Sequence, residues 1–341
     1  MALNVVGGED GTLDEGDYLL FFGEAYRGDI MAAWYADENT NWITYTQQLT
    51  DGTTTRWHPD FTSDMMEKYS TENVYWLMSV ADVSPARMQP IDGTPGDAPV
   101  PAYYKATAHG EVQWRHLEYH FTSEDTWFWD YVTNTDQRQF PITLTGLYTE
   151  PFTAVVRSEY VAVTYSTIYT PDHHVVFKLN NGVDPIVDSR WDGASRNSFE
   201  VDIPSTDLVE GVNTLYYQNV EDDSVVSKVG FDWYEIDYLR RFLAVNDEIS
   251  FAGEITGTWR YQMEGFTQGD IQVYDITDPH LPKKVNNLRS YLDGSYRAEF
   301  QTSNDAGTLY YGVGASSILA PKSITRYTPQ IYVQLIMVQI I

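Results

Sequence analysis

The stretch FKLNNGVDPIVDSRWDGASRNSFEVDIPSTDLVEGVNTLYYQNVEDDSVVSKVGFDWYEIDYLRR, Phe177 to Arg241, decides the fold. Val175 to Leu179 reads as a short apolar strand. Asn180-Asn181-Gly182 ends it, because these residue types accept positive φ with little penalty. Phe199, Val201 and Ile203 alternate with Glu200 and Asp202, the period of two expected when one strand face is buried and the other wet; Pro204 stops it. Gly211 opens a turn into a strand over Thr214 to Val220, and Asp222-Asp223 makes the next turn. Gly230 to Tyr238 then alternates rings and aliphatic side chains with acids, a strong strand signal.

The same rhythm continues outward. Tyr18 to Phe22, Asp37 to Tyr45, Tyr69 to Val80, two strands within Phe140 to Thr170, and then Glu248 to Glu254, Thr258 to Met263, Ile271 to Ile276, Ser290 to Phe300 and Thr308 to Val313 all read as strands. Their spacing of ~8–15 residues is that of a sandwich or barrel. Aromatic residues make up 15% of the chain, which suits pleated, half-buried surfaces, and no long stretch has helical periodicity. Pro85 to Pro101 carries Pro85, Pro90, Pro95, Pro99 and Pro101, and is expected to be a loop or boundary. The expected fold is all-β: a jelly-roll β-sandwich, galactose-binding-like, over residues 145–245. An N-terminal β-rich region (1–144) and further strands (246–315) flank and pack on it, and 316–341 is a truncated entry to another domain.

With 21 Lys plus Arg against 49 Asp plus Glu, the net charge is −28. Such a field repels phosphate backbones, which argues against nucleic-acid binding. The chain has no cysteine, so it can form no disulfide, thiolate metal site or thiol nucleophile. No signal peptide is visible at the N-terminus. The longest apolar run, Ile331 to Ile341, falls well short of the ~20 residues a membrane-spanning helix needs. Both ends are expected to be cuts from a longer chain, with an apolar face exposed near Ile331 to Ile341.

Several residues have the right chemistry for sites. Asp10, Asp14 and Asp17 lie in a Gly-rich loop, and carboxylates so spaced can wrap Ca²⁺, which takes six to eight oxygen ligands; the bland reading is an acidic turn capping its own backbone. Arg190, Trp191 and Asp192, with Asn180 and Asn181, offer an aromatic face and hydrogen-bonding groups for a glycan, whereas the bland reading has Trp191 plugging the sandwich end. His116 and His120 are four apart, which on a strand is too far to share an ion. A glycosidase would need two carboxylates ~5–9.5 Å apart; Glu118 and Asp232 are available, but alternation puts both on wet strand faces.

The order of motifs resembles the jelly-roll region before the peptidase domain of gingipain-type cysteine peptidases. The matching residues are Leu179-Asn180-Asn181-Gly182, Trp191-Asp192-Gly193, Phe199 to Pro204, Leu208 to Leu215, and Phe231-Asp232-Trp233-Tyr234-Glu235 with Tyr238 and Arg240. Further matches are Asp10, Gly11, Asp14, Asp17 and Gly23, then Asn73 to Leu77, Arg115 to Trp129 and Val273 to Pro279, so the resemblance covers most of residues 7–285. It implies a non-catalytic accessory region of a secreted peptidase precursor from a bacterium or archaeon, at the cell surface or outside. Its partner would be the peptidase domain of the same precursor, which in this family carries a His-Gly pair and a Cys. The alternative is a carbohydrate-binding module of an extracellular surface protein. If Asp10, Asp14 and Asp17 hold calcium, a chelator lowers the melting temperature by mass action on the folded state; an unchanged melt removes calcium from the account.

Overall fold

The computed structural model describes residues 1–7, 14–23, 44–49, 52–57, 74–77, 86–116, 127–180, 182–220 and 226–325, with backbone pairing alone for 44–49 and 52–57. Asp10, Asn181, Glu118, His120 and the Ile331–Ile341 run lie outside the described residues. Within them the regular secondary structure is nearly all strand, and the helical elements are the 3₁₀ turns Ser205–Asp207 and Ala315–Ser317. The all-β sandwich architecture is thus as expected.

Two antiparallel sheets face each other in the jelly roll. One has the order Gln137–Leu144, Gly211–Asn219, His173–Leu179, Val187–Trp191; the other runs Arg196–Pro204, Thr153–Ala162, Lys228–Arg240, Tyr104–Glu111, with Asp130–Thr133 also pairing onto Lys228–Arg240. Gln137–Leu144 in the first sheet and Tyr104–Glu111 and Asp130–Thr133 in the second therefore come ahead of residue 145, while Arg115–His116 and Trp127–Phe128 pair with each other apart from both. Phe140, Phe177, Leu215, Tyr217, Phe231, Tyr234 and Ile236 fill the space between them. Phe177 stacks on Tyr217 at 4.7 Å between ring centroids and Phe140 on Phe231 at 3.9 Å. Each fully buried Phe of this kind contributes about 1.5–3 kcal/mol through area removed from water.

The alternation of Lys228–Arg240 is broken once. Its register with Thr153–Ala162 shifts between Glu159 and Tyr160: Glu159 faces Trp233, but Tyr160 faces Phe231. Asp232 is the extra residue of a β-bulge, and the bulge lets Phe231 and Tyr234, three apart, both point inward. The expectation that Asp232 lies on a wet face is corrected by this. Its side chain is 1% exposed and accepts a hydrogen bond from Arg196 at 2.8 Å.

Residues 248–314 build a second sandwich with a core of its own. One sheet has the order Glu248–Gly253, Thr308–Gly314, Ile271–Asp275, Lys283–Asn286, Gln89–Asp92, and the other Gly257–Phe266, Ser295–Asn304, Arg289–Asp293. Phe251, Tyr261, Met263, Phe266, Val273, Phe300 and Tyr310 fill it. Gln89–Asp92, inside the proline-rich stretch read as a loop, is a strand parallel to Lys283–Asn286. It is the edge of its sheet, where Pro90 withholds no hydrogen bond that an inner strand would need. The two sandwiches meet where Lys228–Arg240 runs on into Phe242. Tyr104, which opens the strand Tyr104–Glu111, packs its ring against Phe242 at 5.1 Å in the second core.

The Leu208 to Leu215 motif acts at a turn. Asn213 is wholly buried and donates to the carbonyls of Val209 (2.7 Å) and Gly211 (3.1 Å), while its oxygen accepts from Val209 N–H (3.0 Å) and the Asn180 amide (2.9 Å). Gly211 supplies the positive φ of 96° that the turn requires, and Asn180 sits at φ 53°. Asn213→Ala strands these groups in a dry site. We expect a loss of about 2–4 kcal/mol, read as a lower denaturant midpoint with the far-ultraviolet spectrum unchanged below it.

Candidate functional site

The hairpin His173–Leu179/Val187–Trp191 decides where the residues expected to bind a glycan can meet. Trp191 pairs with His173 in register, whereas Asn180 follows Leu179 at the opposite end of the hairpin. Asn180 lies seven positions along the chain from His173, roughly 23 Å at the usual strand rise. The structure brings Arg190, Trp191 and Asp192 together and keeps Asn180 away from them. Asn180 is also engaged: its amide donates to Asp207 O (2.7 Å) and Asn213, and its oxygen accepts from Thr214 N–H at 2.9 Å. Trp191 is half-buried against the core, stacked on His173 at 5.0 Å and near Tyr160 at 5.4 Å. Arg190 donates to Asp188 at 2.6 Å, and Asp192 is exposed.

Asp14 and Asp17 form an acidic turn. Asp17 accepts from the Asp14 backbone N–H through its carboxylate at 2.9 Å, and its own N–H donates to Asp14 O at 3.1 Å. Among the described residues no three His, Cys, Asp or Glu side chains gather as a metal site. His116 lies in the short strand Arg115–His116 with its ring against Trp127 at 4.6 Å.

The end of the jelly roll beside Trp191 holds a polar constellation that sequence spacing does not reveal. Asp172, His173, Asn219 and Ser227 are all buried. His173 Nε2 lies 2.8 Å from the Thr164 carbonyl, which can only accept, so Nε2 carries a proton. In the neutral ring Nδ1 then accepts from the Ser227 hydroxyl at 2.8 Å. Asp172 is 3.5 Å from Nε2, and its oxygens accept from the Ser166 (2.5 Å) and Gly193 (2.8 Å) N–H groups. A Ser–His–Asp set of this kind can polarise a hydroxyl for attack on a carbonyl. Here Ser227 is 3% exposed, and its hydroxyl also accepts from Asn219 at 3.1 Å. With no approach to Ser227, the set fastens loops 163–172 and 192–195 to the sandwich. Those loops present Tyr165 and Ile168, 69% and 83% exposed, at the tip.

The outer face of the Arg196–Pro204, Thr153–Ala162, Lys228–Arg240, Tyr104–Glu111 sheet carries a second constellation. Arg157 donates to Asp237 at 2.6 Å and to Glu235 at 3.0 Å, and His109 lies 3.1 Å from both Glu235 and Glu111. Toward the bulge, Arg196 pairs with Glu159 and Asp232. The hydrogen bond from His109 foremost, then that from Arg157, holds the Glu235 carboxyl below its ordinary range against its partial burial.

The fold places the chain in a class: tandem all-β sandwiches, the first a jelly roll. No family model matches the chain, and no curated protein matches it by sequence. Among solved structures it is similar to the crystal structure of dimeric latent PorU from Porphyromonas gingivalis, with a TM-score of 0.55 and 13% identity. The match covers 70% of this chain and 23% of that one. At that identity the likeness shows a shared PorU-like, β-rich fold. No helix among the described residues is long and apolar enough to cross a membrane.

The lowered Glu235 carboxyl has a definite pH signature. A carboxylate held low in the folded state stabilises it above its unfolded pKa of about 4.3, and that contribution is lost as pH falls through the folded value. Glu235→Gln is therefore expected to be less stable than the parent at neutral pH and to lose less stability on acidification below about pH 4.5, measured by denaturant midpoints across that range.

Proposed function

We propose that this chain is the non-catalytic β-rich accessory region of a gingipain-type cysteine peptidase precursor, secreted or displayed on the surface of a bacterium or archaeon. One observation carries the reading: a chain of 341 residues without a single cysteine is similar in fold, over 70% of its length, to part of PorU. Chemistry of the cysteine-peptidase kind requires a thiolate activated by a histidine, so the nucleophile belongs to a partner domain. The ordered motifs from Asp10 to Pro279 support the same assignment. The buried, fully bonded Ser227–His173 pair adds no reactive group of its own.

The work of the region is then structural: to pack beside the peptidase domain of the same precursor and restrain it. The description of PorU as latent belongs to that protein, and a restraining role comes to this chain as a proposal. A net charge of −28 favours a partner surface rich in Lys and Arg, through long-range attraction that salt screens.

The test is direct. The coding sequence past Ile341 is expected to continue into a domain with a His-Gly pair and a Cys. That domain, purified separately and titrated with this chain, should bind it saturably at micromolar or lower concentration, hydrolyse peptides more slowly when bound, and release it as salt is raised. A frame without such a domain, or a peptidase domain whose activity and sedimentation ignore the chain, overturns the assignment.

A further inference from the structure

His109 occupies a setting that a neutral imidazole cannot satisfy. Its Nδ1 lies 3.1 Å from a Glu235 oxygen and its Nε2 3.1 Å from a Glu111 oxygen. Ionised carboxylates only accept hydrogen bonds, whereas a neutral ring has one N–H and one lone pair. Only the imidazolium can donate to both. In the neutral ring, one nitrogen lone pair would face a carboxylate at hydrogen-bonding distance.

The surroundings have the same sign. Glu111 comes from the strand of His109 itself, Tyr104–Glu111; Glu235 and Asp237 come from Lys228–Arg240. Arg157 comes from Thr153–Ala162, and beyond it Glu200 of Arg196–Pro204 lies 3.9 Å from the guanidinium. Among the described residues these acids outnumber the guanidinium, and the ring of Trp233 covers one side at 5.9 Å between centroids. The Glu111 side chain is withdrawn from water, 5% exposed, whereas His109 stands at the surface with its side chain 33% exposed; burial of the carboxylate strengthens the pairing relative to open solvent.

The position matters to the whole molecule. His109 faces Glu235 directly in the register of Tyr104–Glu111 with Lys228–Arg240. Tyr104–Glu111 is the edge strand of its sheet, and its first residue, Tyr104, is buried in the second core. We propose that His109 is a pH-operated latch: protonated, it ties the edge strand to Lys228–Arg240 by bridging Glu111 and Glu235, and on losing its proton it loosens the strand that joins the two sandwiches. The proposal is independent of the peptidase reading, since it concerns residues within this chain alone.

The sign follows from linkage. A histidine that gains carboxylate partners on folding binds its proton more tightly than the unfolded chain does, whose imidazole titrates near ~6.5. The stabilisation is fully present below that value and is lost as pH rises through the folded value. Glu235, held below the ordinary carboxylate range, stays ionised throughout this window, so the imidazole is the group that switches.

The experiment uses the whole chain. The imidazole resonances of His109, followed by NMR, should titrate with a midpoint clearly above ~6.5, and amides of residues 105–111 should exchange several-fold faster at pH 8 than at pH 6 after correction for intrinsic rates. Between those pH values the parent should lose about 2–4 °C more in melting temperature than His109→Gln, while His280→Gln, at an exposed position, keeps the parent profile. If His109→Gln does not fold, Glu111→Gln serves instead and should lower the His109 midpoint. A midpoint at or below the ordinary histidine value, parallel melting profiles for the parent and His109→Gln, or a midpoint unmoved by Glu111→Gln would each overturn the latch.

Discussion

Lys228–Arg240 is hydrogen-bonded along both edges, to Thr153–Ala162 on one side and to Tyr104–Glu111 and Asp130–Thr133 on the other. Phe231, Tyr234, Ile236 and Tyr238 from this one strand fill the first core, and the chain continues straight into Phe242 and Ala244 of the second. The bulge at Asp232 makes this possible. A strictly alternating strand that buried Tyr234 would turn Phe231 to the outer face, and the stack of Phe231 on Phe140 would be lost. Shape at the core has taken precedence over regular pairing, and the consequence is a carboxylate in a place with almost no water.

That consequence explains where many of the few cations go. A buried carboxylate is tolerated when it is paired, and removing one partner is far more damaging than replacing the pair by apolar groups. Arg196 answers Asp232 and Glu159; Arg260 and Arg289 answer the buried Glu299; Lys283 answers Asp275. Arg157 is held between Glu235 and Asp237. Arg289 and Lys283 reach these acids from the surface, with side chains 59% and 51% exposed, so the buried partner in those pairs is the carboxylate. The net charge of −28 is the same however the charges pair, and it sets the long-range field.

The strands were readable because alternation is local: Arg196–Pro204 and Gly211–Asn219 follow directly from their side-chain order. Parity across a bulge is not local. It depends on the partner strand, and so Asp232 could not be placed from its neighbours in sequence. The edge strand Gln89–Asp92 was hidden for a similar reason, since a proline-rich segment reads as loop unless its parallel partner, nearly two hundred residues away, is known. The candidate glycan residues show the same limit. Asn180 and Trp191 lie close in sequence, yet hairpin register sends them to opposite ends of a sheet. The carboxylate partners of His109 come from two strands, and Glu235 reaches it only through the pairing of Tyr104–Glu111 with Lys228–Arg240.

The motif residues that gave the resemblance its order turn out, where described, to act on the fold. Asn180, Gly211 and Asn213 pin a turn, Trp191 closes the sandwich beside His173, and Tyr234 donates to the Phe140 carbonyl from within the core. Residues of that kind can persist in any chain that must build the same sandwich, whatever it binds. They argue for shared architecture with PorU-like proteins and leave activity to be carried by surfaces. Beside the sealed Ser227–His173 pair, the charged outer sheet and its edge strand are the surface on which the proposed latch acts. There a proton on His109 decides how firmly the two halves are joined.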